Sequence, residues 1–360
     1  YRYIVVAAIL PATFYYLGTF LAVYFEARKL GIGALPDSDR PKLTGKEWVQ
    51  CLVFVAPLGT LSYFLFAQPS VPKAGFYGLV VAMVSASILF KEFRSRQRIW
   101  RAVVDAGRMA ASIVVIVTAI GLIVGLIQTS GFSGRLSLLL AQVADGPQII
   151  VLLVVALGAI VLGMGLPPGA TYFVIVIALS SGIDTVGIAP LTLHLFVVMF
   201  AMISTVTPPV ALAAFAAAPI AGADPLKTGF AAARIAFAGF LIPFVFVYHP
   251  AVLYKLQVIF EWFGEERVNS SAMIDISTVT WFDFGWIIVA FSVAMWLIAS
   301  AFAGFDRARL GIVERILRLT IGFAALLPQL SIAGPALLLG LLLIFASPKF
   351  AARRSQTIPN

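Results

Sequence analysis

Charge is what this sequence has least of. Asp, Glu, Lys and Arg together make up 11% of the chain, against 61% apolar residues. Soluble domains are nearer half apolar and a quarter charged. So few charges cannot cover the water-facing surface of 360 residues, which excludes a soluble globular domain and leaves lipid as solvent for most of the chain. One cysteine, Cys51, stands inside an apolar run and excludes an internal disulfide. Two histidines, His194 and His249, with no Cys/His spacing of metal-ligand type, exclude a zinc centre of the usual kind. No Asp or Glu falls inside any apolar span, so the buried acids that an intramembrane hydrolase or transferase needs are missing.

What the sequence does have is an excess of basic residues, for a formal charge of +9. They do not form a nucleic-acid-binding face, because they cluster in short loops between apolar runs. Stretches of roughly 3–25, 48–67, 74–90, 109–130, 228–248 and 284–305, free of charge except for Arg234, each suit one membrane-crossing helix of about 20 residues. The tail, roughly 319–348, is apolar but interrupted at Pro328 and Pro335, and reads as two short helices in a hairpin. With the basic loop Lys91–Arg108 on the cytoplasmic side, all but five of the 25 basic residues fall inside, Arg318 among them as a topology anchor; Arg2, Lys73, Arg135, Lys255 and Arg267 lie outside. That bias orients the chain with its C-terminus in the cytoplasm. Lys91–Arg108 itself, with Phe93, Ile99, Trp100 and Val103 among its charges, reads as an interfacial amphipathic helix lying on lipid.

Two apolar runs are irregular. Residues 146–183 carry no charge before Asp184, yet they are too short for two spans and too long for one. The length fits a re-entrant hairpin with legs of about 15 residues, each reaching roughly 22 Å. Its centre reads Gly163-Met164-Gly165-Leu166-Pro167-Pro168-Gly169-Ala170-Thr171, where three glycines and two prolines cannot continue a helix. The second run, 185–223, starts as a helix near Pro190, meets Ser204-Thr205-Val206-Thr207-Pro208-Pro209, and resumes near Val210. Residues before proline avoid the helical region, so Thr207 and Pro208 should be unwound.

The chemistry follows from the prolines, which lack an amide hydrogen. Pro208 and Pro209 should free the carbonyls of Ser204 and Thr205; Pro167 and Pro168 should free those of Gly163 and Met164. An unpaired carbonyl at membrane depth costs several kcal/mol unless something satisfies it. A dehydrated sodium ion is a natural partner, joined by the hydroxyls of Ser204, Thr205, Thr207 and Thr171. The half-helices that start after Pro168 and Pro209 would turn their positive ends toward a carboxylate. Broken helices meeting in mid-membrane point to a transporter binding site. The candidate set is Gly163, Met164, Gly165, Pro167, Pro168, Gly169, Thr171, Ser204, Thr205, Thr207, Pro208 and Pro209, with Gly163, Met164, Ser204, Thr205 and Thr207 as sodium ligands.

At these residues the chain resembles a known family. Gly163-Met164-Gly165-Leu166-Pro167, His194-Leu195-Phe196, Thr207-Pro208-Pro209-Val210-Ala211-Leu212-Ala213-Ala214, Ala221-Gly222-Ala223-Asp224-Pro225, and the run from Lys227 to Phe244 are similar to the large permease (M) subunit of TRAP transporters. The likeness is to the branch whose two permease subunits are fused and which works with TAXI-type binding proteins. It implies an all-α polytopic inner-membrane protein of the elevator type, importing organic acids such as C4-dicarboxylates in symport with sodium, with a periplasmic TAXI-type binding protein and a small permease subunit or fused region as partners. It also implies a division of the chain. Residues 1–47 would hold the last helix of a first repeat that lies outside the chain, plus a linker; 48–254 the second repeat, with hairpin 146–183 and broken helix 185–223; 255–360 a membrane extension. In one place the chain departs from the family, since Pro168 and Gly169 stand where two threonines usually follow Leu-Pro, which leaves more of the ligation to backbone carbonyls. Two other classes compete: a non-transporting membrane scaffold subunit, and a membrane-embedded enzyme, which the absence of buried acids argues against.

Overall fold

The computed structural model describes residues 2–33, 44–67, 70–90, 95–131, 146–163, 168–179, 187–209, 211–261 and 280–355, together with positions 36, 135, 138 and 142. Among the described residues the chain is helical throughout, with one isolated bridge between Phe305 and Arg309. Among the described residues, five helical stretches are long and apolar enough to cross a membrane: Tyr3–Lys29, Glu47–Phe66, Val71–Leu89, Pro225–Tyr248 and Trp281–Ala303. The protein is an all-α polytopic membrane protein, as its lack of charge requires.

The chain divides into two units, Tyr1–Val5 with Ala34–Gly121, and Val6–Gly33 with Leu122–Asn360. In the first, helix α2 (Gly45–Gln50) opens where the Glu47 carboxylate accepts the Thr44 amide at 2.7 Å and the Thr44 hydroxyl at 3.0 Å. Such a box satisfies donors that a helix start leaves open. Helices α3 (Leu52–Ala67) and α4 (Val71–Leu89) then pair, with Phe64 and Tyr77 stacked at 4.5 Å and 9°.

Helix α5 (Arg96–Thr129) runs for 34 residues, or about 51 Å. This corrects the expectation of a separate interfacial helix ending at Arg108. No proline interrupts the stretch, so the polar beginning and the apolar span form one rod, longer than the ~30 Å hydrocarbon core.

In the second unit, helix α1 (Arg2–Lys29, from Val6 onward), α6 (Gln148–Gly163), α7 (Pro168–Leu179) and α8 (Pro190–Ser204) share one apolar core with α11 (Phe237–Tyr248), α12 (Ala251–Glu261) and α13 (Trp281–Ala303). Short helices α9 (Leu212–Ala217) and α10 (Pro225–Ile235) lead into α11. Asp224 caps α10 by accepting the Lys227 amide at 2.8 Å. Two side-chain hydrogen bonds tie the start of α8 to its neighbours: the Tyr172 hydroxyl with His194 Nδ1 at 3.0 Å, and the Thr192 hydroxyl with that of Tyr254 at 3.0 Å.

The tail differs from expectation at one of its two prolines. Helix α14 (Ile312–Ala325) ends before Pro328, but α15 (Leu330–Ser355) carries Pro335 within it. Pro335 lies near the start of α15, where it disturbs few helical bonds.

Arg318 is a second correction. Expected as a basic topology anchor, it is fully buried, its guanidinium 2.9 Å from Asp306, 2.8 Å from the Ser300 hydroxyl and 3.3 Å from Glu314. The three partners lie on α13, on the connector after it and one turn back on α14, so the ion cluster locks that corner. A charge survives burial only with such partners.

Candidate functional site

Helix α6 terminates at Gly163 and helix α8 at Ser204. The Ser204 hydroxyl donates to the Gly163 carbonyl at 3.2 Å, sharing its hydrogen with the Ala201 carbonyl at 2.8 Å. Two helix C-termini, 41 residues apart in sequence, therefore meet in direct contact. Thr171, one turn into α7, closes the third side and is fully buried; Ser204 is 2% exposed. A methyl group added to Gly163 would lie 2.5 Å from Ser204 Oγ and 2.8 Å from Thr171 Cγ2. Only a residue without a Cβ permits this approach.

After Ser204 the helix opens into a turn. The Thr205 hydroxyl donates to the Met202 carbonyl at 2.7 Å and the Thr207 hydroxyl to the Ile203 carbonyl at 2.7 Å. Thr207 and Pro208 are non-helical, and the Pro208–Pro209 peptide is cis. The carbonyls that the prolines should leave open are nonetheless occupied. Ser204 O accepts the Thr207 amide at 3.3 Å and Thr205 O accepts the Ala213 amide at 3.0 Å. Ala211, buried and left-handed at φ 37°, turns the chain so that the amide of Ala213 faces back toward Thr205. A non-local amide has thus replaced the one that proline deleted, a substitution that local bonding rules could not anticipate.

The candidate residues fall into three groups. Gly163, Thr171 and Ser204 come together. Thr205, Thr207, Pro208 and Pro209 form the turn that follows, with Pro208 packed toward α10, 3.4 Å from where a methyl on Gly229 would sit. Pro168 and Gly169 open α7, with free space around Gly169. Met164, Gly165 and Pro167 lie outside the described residues, as does Leu166 between them.

The electrostatics of this arrangement favour a cation. A helix C-terminus carries roughly half a negative charge, and two of them converge here. Each hydroxyl that donates its single hydrogen keeps lone pairs for an incoming ion. The positive helix end expected after Pro209 is not available in the same way, because α9 has only six residues, too few dipoles to sum. Helix α7, with twelve residues from Pro168, retains one.

Three residues that sequence reasoning passed over shape the site. Gly239 on α11 receives both Tyr15 and Ile203, which would lie 3.1 Å and 3.2 Å from a methyl placed there. Gly229 on α10 does the same for Phe215 and Ala211, at 3.2 Å and 3.3 Å. His194, which the sequence offered as a histidine without metal-ligand spacing, holds Tyr172 and with it the orientation of α7. Glycines in apolar helices are the signal, but which of many glycines face a neighbour is decided by packing.

The family described as "Tripartite ATP-independent periplasmic transporter, DctM component" matches this sequence over residues 1–262. Comparison with curated proteins and with solved structures gives no match.

Proposed function

The chain belongs to the DctM component family of tripartite ATP-independent periplasmic transporters, and from that premise we propose that it is the permease of a sodium-coupled importer of organic acids. Family membership makes it a TRAP-transporter permease, a class that works with a periplasmic binding protein and a small permease subunit. In the finer reading, a TAXI-type binding protein delivers a carboxylate substrate such as a C4-dicarboxylate to the outer face of the bacterial inner membrane. The small subunit is fused to the same polypeptide, and the C-terminus of the chain is cytoplasmic.

The observation that carries the sodium assignment is the contact between Gly163 and Ser204. Two negative helix ends, hydroxyl oxygens from Ser204, Thr205 and Thr207, and the adjacent Thr171 supply neutral oxygen donors with no formal negative charge. Such a set suits a monovalent hard cation, which binds oxygen and needs no carboxylate to be released again. Ser204, Thr205 and Thr207 would ligate through side-chain oxygens, and Gly163 and Met164 through carbonyls. The carboxylate substrate would sit beside the ion, facing the amino end of α7 at Pro168 and Gly169, where backbone amides and the helix dipole favour an anion. Binding of ion and acid together brings opposite charges side by side, so each raises the affinity for the other.

Reconstitution into vesicles with the cognate binding protein tests the whole reading. Uptake of labelled C4-dicarboxylates should require both the binding protein and an inward sodium gradient. Uptake driven equally by a proton gradient without sodium would overturn the coupling assignment, and no uptake of any organic acid would favour a scaffold role.

A further inference from the structure

The match to the permease family ends at residue 262, yet helix α13, at Trp281–Ala303, lies beyond it and is the most deeply packed of the long apolar helices. Two thirds of its apolar window is buried, against 39% for α1 and for the Pro225–Tyr248 stretch. It packs chiefly against α14 and α15, and it meets α1 through aromatic side chains. Phe291 and Phe14 stack with centroids 4.0 Å apart and planes at 10°, and Trp296 meets Phe25 edge to face at 5.2 Å. Between these pairs, Gly18 lets α1 touch both Ala238 of α11 and Met295 of α13.

From Phe14 the contacts lead straight to the candidate site. Tyr15, the next residue of α1, rests on the bare backbone of Gly239 in α11. Ile203 rests on the same glycine from the other helix. Ile203 immediately precedes Ser204, and its carbonyl accepts the Thr207 hydroxyl at 2.7 Å. Phe14, Ile203 and Ser204 are buried, and Phe291 is fully so. Close-packed interiors transmit displacement because they hold little free volume to absorb it.

We infer that Phe291 is a positioning residue for the Ser204 site, acting through Phe14, Tyr15, Gly239 and Ile203, so that the segment beyond the family match holds the site's geometry. This rests on the site proposed above. It implies that α13 does more than add a membrane anchor: its loss of contact with α1 lets the end of α8 shift away from Gly163.

Thiol accessibility at position 204 tests this without requiring transport. The sole cysteine, Cys51, is exposed and is replaced by serine, and Ser204→Cys then provides the reporter at a position buried in the parent. Phe291→Ala should raise the maleimide labelling rate at 204 by about tenfold, within the range of packing-mediated coupling. Phe291→Leu, which keeps most of the volume, should raise it less. Leu337→Ala is the control, because Leu337 belongs to a separate apolar cluster between α13 and α15. It should lower the unfolding temperature yet leave labelling at 204 unchanged. Labelling unaffected by Phe291→Ala, or raised equally by Leu337→Ala, would overturn the inference. Should Phe291→Ala fail to insert, labelling of Phe291→Leu at the parent rate does the same. Labelling that rises as expected, in a protein whose unaltered form shows no sodium-dependent uptake, supports the positioning role and rejects only the transport assignment.

Discussion

The Ser204 hydroxyl and the Gly163 carbonyl stand 3.2 Å apart at the facing ends of two helices. That contact joins the end of α6 to the end of α8 and leaves no room for a side chain at 163. It also places two negative helix ends together, which is stable only if hydrogen-bond donors or a cation offset them. The Ser204 hydrogen serves in the structure as described, and in the proposed cycle sodium adds to it.

Gly163→Ala should therefore damage both fold and function. Its methyl would meet Ser204 Oγ, Thr171 Cγ2 and Ser204 Cβ at 2.5, 2.8 and 2.9 Å. Overpacking of this kind costs about 1–3 kcal/mol, read as a lower unfolding temperature in detergent. Ser204→Ala in the same chain should restore only part of it, since Cβ and Thr171 remain. Full restoration would place the strain elsewhere.

Ser204→Ala and Thr207→Ala should weaken sodium-dependent uptake without preventing membrane insertion. A hydrogen bond or ligation involving a charged partner is worth about 1.5–3 kcal/mol, so the sodium concentration for half-maximal uptake should rise roughly tenfold or more. Uptake assays across a sodium titration would decide. An unchanged titration in both variants removes these hydroxyls from the ion site.

Breaking the Arg318 cluster from one side should be worse than replacing it. Arg318→Met leaves Asp306, 3% exposed, without its guanidinium, and stranding a buried charge costs about 3–5 kcal/mol. Arg318→Met combined with Asp306→Leu should recover much of that loss. Thermal unfolding of the three proteins checks the order, and a silent Arg318→Met would show the pair to be dispensable.

His249 predicts the direction of a pH effect at the end of α11. Burial holds its imidazole below the ordinary value, opposed by a bond to the Leu326 carbonyl at 3.1 Å and by the charge of Asp283. The folded protein thus takes up the proton less readily than the unfolded chain. Above the unfolded value, ~6.5, both forms are neutral and nothing changes. As pH falls below it, the unfolded state gains protons first and stability declines. His249→Gln, which can still donate to Leu326, should flatten the acid side of a plot of unfolding temperature against pH. An equal slope in wild type and variant would exonerate this residue.

The broken runs could be read in advance because proline deletes a donor wherever it stands. The end of α8 at Ser204 follows from Pro208-Pro209 with little help from the rest of the chain. What that end would touch could not be read. The Thr205 carbonyl, expected to be open, is met by Ala213 because Ala211 reverses the backbone. Arg318 counted as one more basic residue near an inner loop until Asp306 and Ser300 closed around it.

By itself, the sequence determined that this chain lives in lipid and that the helix reaching Ser204 stops before Pro208. Those outcomes depend on composition and on local backbone chemistry, which act wherever the residues lie. Only the tertiary structure decided that Gly163 meets Ser204, that Gly239 seats both Tyr15 and Ile203, and that α13 lies against α1. Each of these is a close approach between residues far apart in the chain, set by which surfaces pack, and packing is a property of the whole fold rather than of any one segment.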